Sequence, residues 1–273
     1  MIRRLYPGGR RKAFSVTYDD GVEQDVRFVA LLNSYGLKGT FNLNSGLMET
    51  AFAWTHESGR VIRRLRAENA AALYAGHEVA SHTLTHPYMQ GLAREEILRE
   101  MAADRANLQR LFGREISGFA VPFDYYSELI AGCAQACGFE YARISEESGA
   151  FTTQDDAYHW RATAFHCSDR LEALIDRFLD TEEELACFQL VGHSYDLDVE
   201  DMWDRMEALF ARISRQRDIL PMTTLEIVRY TAAMRAAVIT AHAIRNDSSV
   251  SLWFDVDGEV REVRPGEQMN RPD

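Results

Sequence analysis

Two adjacent carboxylates, Asp19 and Asp20, run into Gly21, and two imidazoles, His82 and His86, stand four residues apart. Neighbouring carboxylates repel when both are ionised. A divalent cation held by one of them relieves the conflict and leaves the other beside an acidified water, where it can act as general base. An H-x3-H pair can set two imidazoles on one side of a turn or helix, and borderline divalent metals accept imidazole with a carboxylate completing the set. His193 adds a further imidazole, able to protonate a leaving nitrogen. Each feature is ambiguous when taken singly. Asp-Gly is a turn dipeptide, spaced histidines also occur as caps or on surfaces, and a lone histidine after a strand is more often structural.

Position along the chain joins them. Apolar, strand-like runs at 13–18, 78–81, 118–121 and 188–192 lead into Asp19-Asp20-Gly21, His82-Thr83-Leu84-Thr85-His86-Pro87, Pro122-Phe123-Asp124-Tyr125 and His193-Ser194. Further strands are expected at 38–42 and 141–144, and the last run extends over 186–191. Helix-period segments separate the strands at 26–35, 63–74, 94–112, 127–137, 169–179, 200–214 and 224–241. Residues 43–59 form a long connection rich in Asn, Ser and Gly, of the length that often carries function. Strand–helix alternation predicts a parallel sheet, and a (β/α) barrel of about 250 residues would use nearly the whole 273-residue chain. In such a barrel the active site lies at the carboxyl ends of the strands, so four separate runs deliver polar groups to one rim. The tail breaks the pattern: residues 250–256, Asp257-Gly258 and 259–263 read as a β-hairpin with a type I′ turn. The expected organisation is a barrel over 1–246, with a hairpin and tail over 247–273 packed on it and carrying no chemistry.

The net charge of −12 disfavours nucleic acid and anionic lipid surfaces and suits a neutral or cationic substrate. No stretch is long and apolar enough to span a membrane, and the basic residues 1–12 are followed by no apolar signal core, so a cytoplasmic location is expected. Four cysteines in a chain this long do not suggest a disulfide framework. Cys133 and Cys137 would share a helix face, as buried small residues or, alternatively, as a thiolate metal clip.

With these motifs the chain resembles the polysaccharide deacetylase family, the NodB-homology or carbohydrate esterase family 4 enzymes, from about Lys12 to about Tyr230. The resemblance implies a distorted (β/α) barrel. The family's T-F-D-D-G motif reads here Thr17-Tyr18-Asp19-Asp20-Gly21, which makes Asp19 the implied base and Asp20 a metal ligand. H-(S/T)-x-x-H reads His82-Thr83-Leu84-Thr85-His86 and supplies two further ligands, with His77 as support. L-x-H reads Val191-Gly192-His193, so His193 inherits the role of acid. R-x-P-(F/Y) reads Ala120-Val121-Pro122-Phe123: the Phe123 N–H matches the oxyanion donor, but Ala120 replaces an arginine that helps orient the base in relatives. Asp19 is therefore expected to lack a cationic neighbour unless another residue, such as Arg161, substitutes. The stretch that usually supports the acid histidine is occupied by His159-Trp160-Arg161 or Phe165-His166. The segments Gly39-Thr40-Phe41-Asn42-Leu43-Asn44 and Gly192-His193-Ser194-Tyr195 resemble a bacterial branch of the family, in which His166 is a candidate substrate contact.

The implied cofactor is a divalent metal, zinc foremost, with cobalt or nickel as alternatives. The implied reaction is removal of acetyl from an N-acetylated sugar or short oligosaccharide. A small-molecule amide or imide hydrolase on the same barrel is one alternative. A catalytically impaired binding module, for which Ala120 argues, is another. The sequence leaves the oligomeric state open.

Overall fold

The computed structural model describes residues 1–50, 52–240 and 242–270. Eight strands build a nearly closed parallel barrel: β1 (Lys12–Asp19), β2 (Gly39–Leu43), β3 (Glu78–Ser81), β4 (Gly118–Ala120), β5 (Tyr141–Glu147), β6 (Trp160–Ala162), β7 (Ala164–Phe165) and β8 (Ala186–Gly192). The order around the ring is β7-β8-β1-β2-β3-β4-β5-β6, with every neighbouring pair parallel. This is the expected α/β architecture. It is distorted where the two- and three-residue strands β7 and β6 meet at the seam.

Every residue of β1 and β8 is buried, as strands covered on both faces must be. The period of two then sorts their side chains. Phe14, Val16 and Tyr18 of β1, Phe41 of β2, Val79 of β3, Phe119 of β4, Ile144 of β5 and Phe188 of β8 join the large apolar cluster with the helix residues Phe28, Met101, Leu108, Ile130 and Leu174. The alternate residues, among them Thr17, Asp19, Asn42, Glu78, Ala120, Arg143 and Gln189, point into the barrel. Its lower end is plugged by a satisfied polar network. Glu78 accepts from Thr40 Oγ1 (2.8 Å), Tyr141 OH (2.8 Å) and the Leu225 N–H (2.9 Å) at the start of helix Thr224–Ala236. Burial pushes the Glu78 carboxyl above its usual pKa.

Several elements depart from the sequence expectations. The connection over 43–59 is structured: it holds helix Ser45–Glu49 and strand Ala53–Thr55, which pairs antiparallel with Val61–Arg63. The helix expected from residue 63 is confined to Ala67–Leu73. The cause is non-local: Glu23 N donates to Arg63 O (3.0 Å) and Leu65 N to Gly21 O (2.8 Å), fastening this hairpin to the loop after Asp20. The helix expected over 200–214 spans Trp203–Ser214, and a short helix that was not expected, Ser194–Val199, precedes it, the two separated where Asp201 takes a φ of 53°. The last expected helix ends at Ala236 and gives way to strand Val238–Ile239; its final position, 241, lies outside the described residues. All four cysteines are free, with Cys133 buried and Cys137 partly so.

The tail hairpin spans Leu252–Val256 and Glu259–Val263, and positive φ at Asp257 (55°) and Gly258 (91°) fits the expected turn. Its sheet takes its third strand from the chain's start, Ile2–Leu5, and Ala243–Arg245 pairs with Gln268–Asn270. Residues 271–273 of the tail lie outside the described residues. Among the described residues no helix is long and apolar enough to cross a membrane.

Candidate active site

Asp19 closes β1 on its inward face. The chain then leaves the strand through Asp20 (φ 85°) and Gly21 (φ 61°). Five of the eight described non-glycine residues with positive φ (Asp20, Thr83, His86, Phe123 and Asp124) lie on three turns of this rim. Such conformations cost about 1–3 kcal/mol each, and here they concentrate where the candidate site residues stand. The turn carrying the histidines is braced from below. Asn44 Nδ2 donates to the His82 carbonyl and to Thr83 O (2.9 Å), Glu100 accepts from Thr85 N (2.9 Å), and Asp104 of helix Arg94–Phe112 holds Ser45 N (2.7 Å) and Ser81 Oγ.

Asp20, His82 and His86 come together. His82 Nδ1 lies 2.9 Å from the Ala120 carbonyl, which can only accept, so the ring's proton sits on Nδ1 and Nε2 keeps its lone pair. His86 Nε2 is 3.2 Å from His82 Nε2; Asp20 Oδ1 is 3.5 Å from the first and 4.0 Å from the second. Ligands held at zinc-like bond lengths in a tetrahedron lie about 3.3 Å apart, close to these separations. Asp20 Oδ1 is buried and accepts no hydrogen bond, meeting Arg64 as an ion pair, and burial lowers the His86 pKa and takes that of His82 down to about 4, so both rings are neutral near pH 7. Two imidazole nitrogens and a buried carboxylate oxygen converging on one point fit a divalent cation.

Arg64 stands beside this cluster, delivered by the hairpin Ala53–Arg63. Its Nη1 lies 2.8 Å from Asp20 Oδ1 as an ion pair and bonds to the Asp20 carbonyl and to Asn44 Oδ1 (2.9 Å), while Trp54 covers the guanidinium at 5.1 Å. Burial would raise the Asp20 pKa, but Arg64 and then His193, His86 and His82 outweigh it and hold the carboxyl well below the usual range.

Asp19 is not without a cation. Arg143, wholly buried on β5, forms an ion pair with Asp19 Oδ1, which also accepts from Asn42 Nδ2 at 2.6 Å. The expectation drawn from Ala120 is therefore corrected: a guanidinium reaches the carboxylate from the next strand. Arg161, the substitute considered from sequence, pairs with Glu146 (3.5 Å) in a solvent-exposed contact instead. Burial pushes the Asp19 pKa up, but Arg143, with His82 and His193, brings it below the usual value.

His193 follows β8, and its Nδ1 lies 3.0 Å from Asp196 Oδ2. The same oxygen is 3.3 Å from His166 Nε2, and His166 Nδ1 is 2.7 Å from Tyr18 OH. Burial alone would lower the His193 pKa; the Asp196 hydrogen bond and the charges of Asp20, Asp19 and Asp196 raise it to about 9. His166, expected as a candidate substrate contact, is wholly buried behind Asp196 and presents no open face to a ligand. A Cβ on Gly192 would sit 2.0 Å from His166 Nδ1, so only glycine lets this ring pack under the strand end. Gly192→Ala is expected to destabilise the protein by about 1–3 kcal/mol through overpacking, read from denaturant midpoints; an unchanged midpoint would remove His166 from this packing role.

Phe123 is 55% exposed, and its ring lies 4.5 Å from His86 and 5.4 Å from Tyr88. Tyr195 stacks on His193 (4.9 Å) and meets Trp54 edge-on (5.5 Å). Aromatic groups thus flank both the metal-type cluster and His193. Sequence reasoning passed over Arg64, Arg143 and Asp196. The first was read as part of a helix. The second is detectable only by inward parity once strand register is known. The third carried one unused signal, its i+3 spacing from His193.

The parallel barrel thus carries an Asp-His-His cluster and a second carboxylate at the carboxyl ends of its strands. The polysaccharide deacetylase family model matches residues 7–142, and the chain belongs to that family. Two solved structures agree in fold. A Mycobacterium smegmatis protein assigned as a polysaccharide deacetylase is 14% identical, with TM-score 0.61 over 87% of this chain and 96% of that one. A CE4 family pseudoenzyme from Bacillus anthracis is 15% identical, with TM-score 0.53 over 83% and 68%. A Streptococcus pyogenes deacetylase in complex with acetate is 18% identical, with TM-score 0.47 over 53% of this chain, which spans 61% of its length. No curated protein is significantly similar in sequence.

Proposed function

We propose that the chain is a metal-dependent hydrolase that removes acetyl groups from an N-acetylated sugar or short oligosaccharide, with Asp20, His82 and His86 holding a divalent cation, zinc foremost. The observation that carries this reading is the convergence of those three ligand atoms within 4.8 Å on the rim that also bears Asp19 and His193. A cation bound there supplies Lewis acidity and acidifies water. Asp19 accepts the water's proton; both of its hydrogen bonds fall on Oδ1, which leaves Oδ2 for that task. The Phe123 N–H donates to the developing oxyanion, and its left-handed backbone (φ 55°) turns the peptide out of the strand direction. His193, oriented by Asp196, protonates the departing amine. His166 and Tyr18 extend that support and touch no substrate. Acetate release from N-acetylglucosamine oligomers, by chelated and metal-restored protein, tests the reading; absence of release with every divalent metal tried would refute it.

The acid role carries its own prediction. His193 is protonated below about pH 9, so amide turnover falls as pH rises through that value; a cation that takes up the charge of Asp20 moves the limb lower. His193→Ala should cut kcat/KM for an amide by on the order of 10²–10⁴-fold. An activated aryl ester, whose leaving group needs little protonation, should lose much less. Equal losses on both substrates would show that His193 is not the acid.

A further inference from the structure

Arg143 has no counterpart among the sequence motifs, yet it is the largest wholly buried side chain in the barrel and bears a full charge. Its placement follows from register. In the parallel ladder of β4 and β5, Ala120 is the partner of Arg143, so the two side chains stand next to each other on the inward face. A methyl at 120 leaves the space beside it to the guanidinium, which spans the interior to β1. There Arg143 Nη2 bonds to Asp19 Oδ1, while Nη1 is held by Ser145 Oγ, two residues along the same strand. Ser145 is anchored in turn, its N–H donating to Asp124 Oδ1 (2.7 Å) on the Phe123 turn. A planar fork fixed at one end can hold a carboxylate in one rotamer, which a flexible ammonium does less well. With Asn42 on the same oxygen, Asp19 has Oδ1 pinned and Oδ2 turned to the site.

We propose that Arg143 is the positioning residue of the base Asp19, and that Ala120 and Arg143 form one exchangeable pair in which a single guanidinium, supplied from either strand, sets the carboxylate. This rests on Asp19 acting as base. The exchange is the test. Arg143→Met should lower kcat on the order of 10²-fold with KM and metal content unchanged, as a small misplacement of a reacting group does. Arg143→Lys should recover part of that loss. Because Arg143→Met leaves Asp19 buried without its partner and could fail to fold, the decisive variant is Ala120→Arg combined with Arg143→Ala, which keeps the buried charge. It should restore kcat to within about tenfold of the parent, the residual loss reflecting imperfect placement. Crystal structures of the exchanged and Arg143→Lys proteins should show Asp19 in its parental rotamer in the first and displaced in the second. A folded exchange protein as slow as Arg143→Lys, or an Asp19 that stays in place without any guanidinium, would overturn the proposal. If the parent releases no acetate at all, the proposed function fails, and the crystallographic comparison still decides whether Arg143 sets Asp19.

Discussion

His86→Ala is expected to lose its divalent cation and, with it, essentially all acetate release. Of the two imidazoles His86 is the cleaner probe: its side chain is 19% exposed against 2% for His82, whose ring is also tied to the Ala120 carbonyl. Truncation there removes a ligand while disturbing little packing. Changes one layer outside a metal already cost 10–100-fold in affinity, so loss of a direct ligand should exceed about 10²-fold. Elemental analysis of dialysed protein reads the outcome. Stoichiometric metal retained in His86→Ala would refute the three-ligand assignment. Arg64 bears on the same measurement, because its guanidinium sits on the Asp20 oxygen that a cation needs. A metal affinity determined for the parent would include that competition.

Asp19→Asn is expected to keep the cation and lose turnover by on the order of 10²-fold or more, because asparagine is nearly isosteric but cannot take the proton. The surroundings add a second effect. Arg143 would be left buried without its counter-charge, and breaking a buried pair from one side costs about 3–5 kcal/mol. The variant should therefore unfold at lower denaturant concentration than the parent while binding metal equally well. Loss of metal instead of turnover would reverse the roles given to Asp19 and Asp20. Unchanged stability would mean that Arg143 finds another partner, and the amide oxygen of the new asparagine is the nearest one.

Much of this arrangement was legible in the sequence because it is local or periodic. Apolar strand-like runs, each followed by polar residues, located β1, β3, β4 and β8 and put Asp19, Asp20, His82, His86 and His193 on one rim. Helix Arg94–Phe112 and the tail hairpin were readable from amphipathic spacing and from an Asp-Gly turn. Short-range chemistry of this kind needs only the residues on either side.

What tertiary structure alone decided is which distant groups complete the site. Arg64 is held near Asp20 by backbone hydrogen bonds between the 61–65 segment and the Gly21–Glu23 loop, contacts that no period in residues 43–74 encodes. His166 read as a candidate substrate contact, but packing against Gly192 and a bond to Tyr18 bury it behind Asp196. Ala120 read as the loss of a cation, because a motif is a string along one strand, whereas the guanidinium that answers Asp19 lies 23 positions further on. Neighbourhood inside a barrel is set by strand order and register, which place Arg143 beside Ala120, and that relation between strands exists only once the sheet has closed.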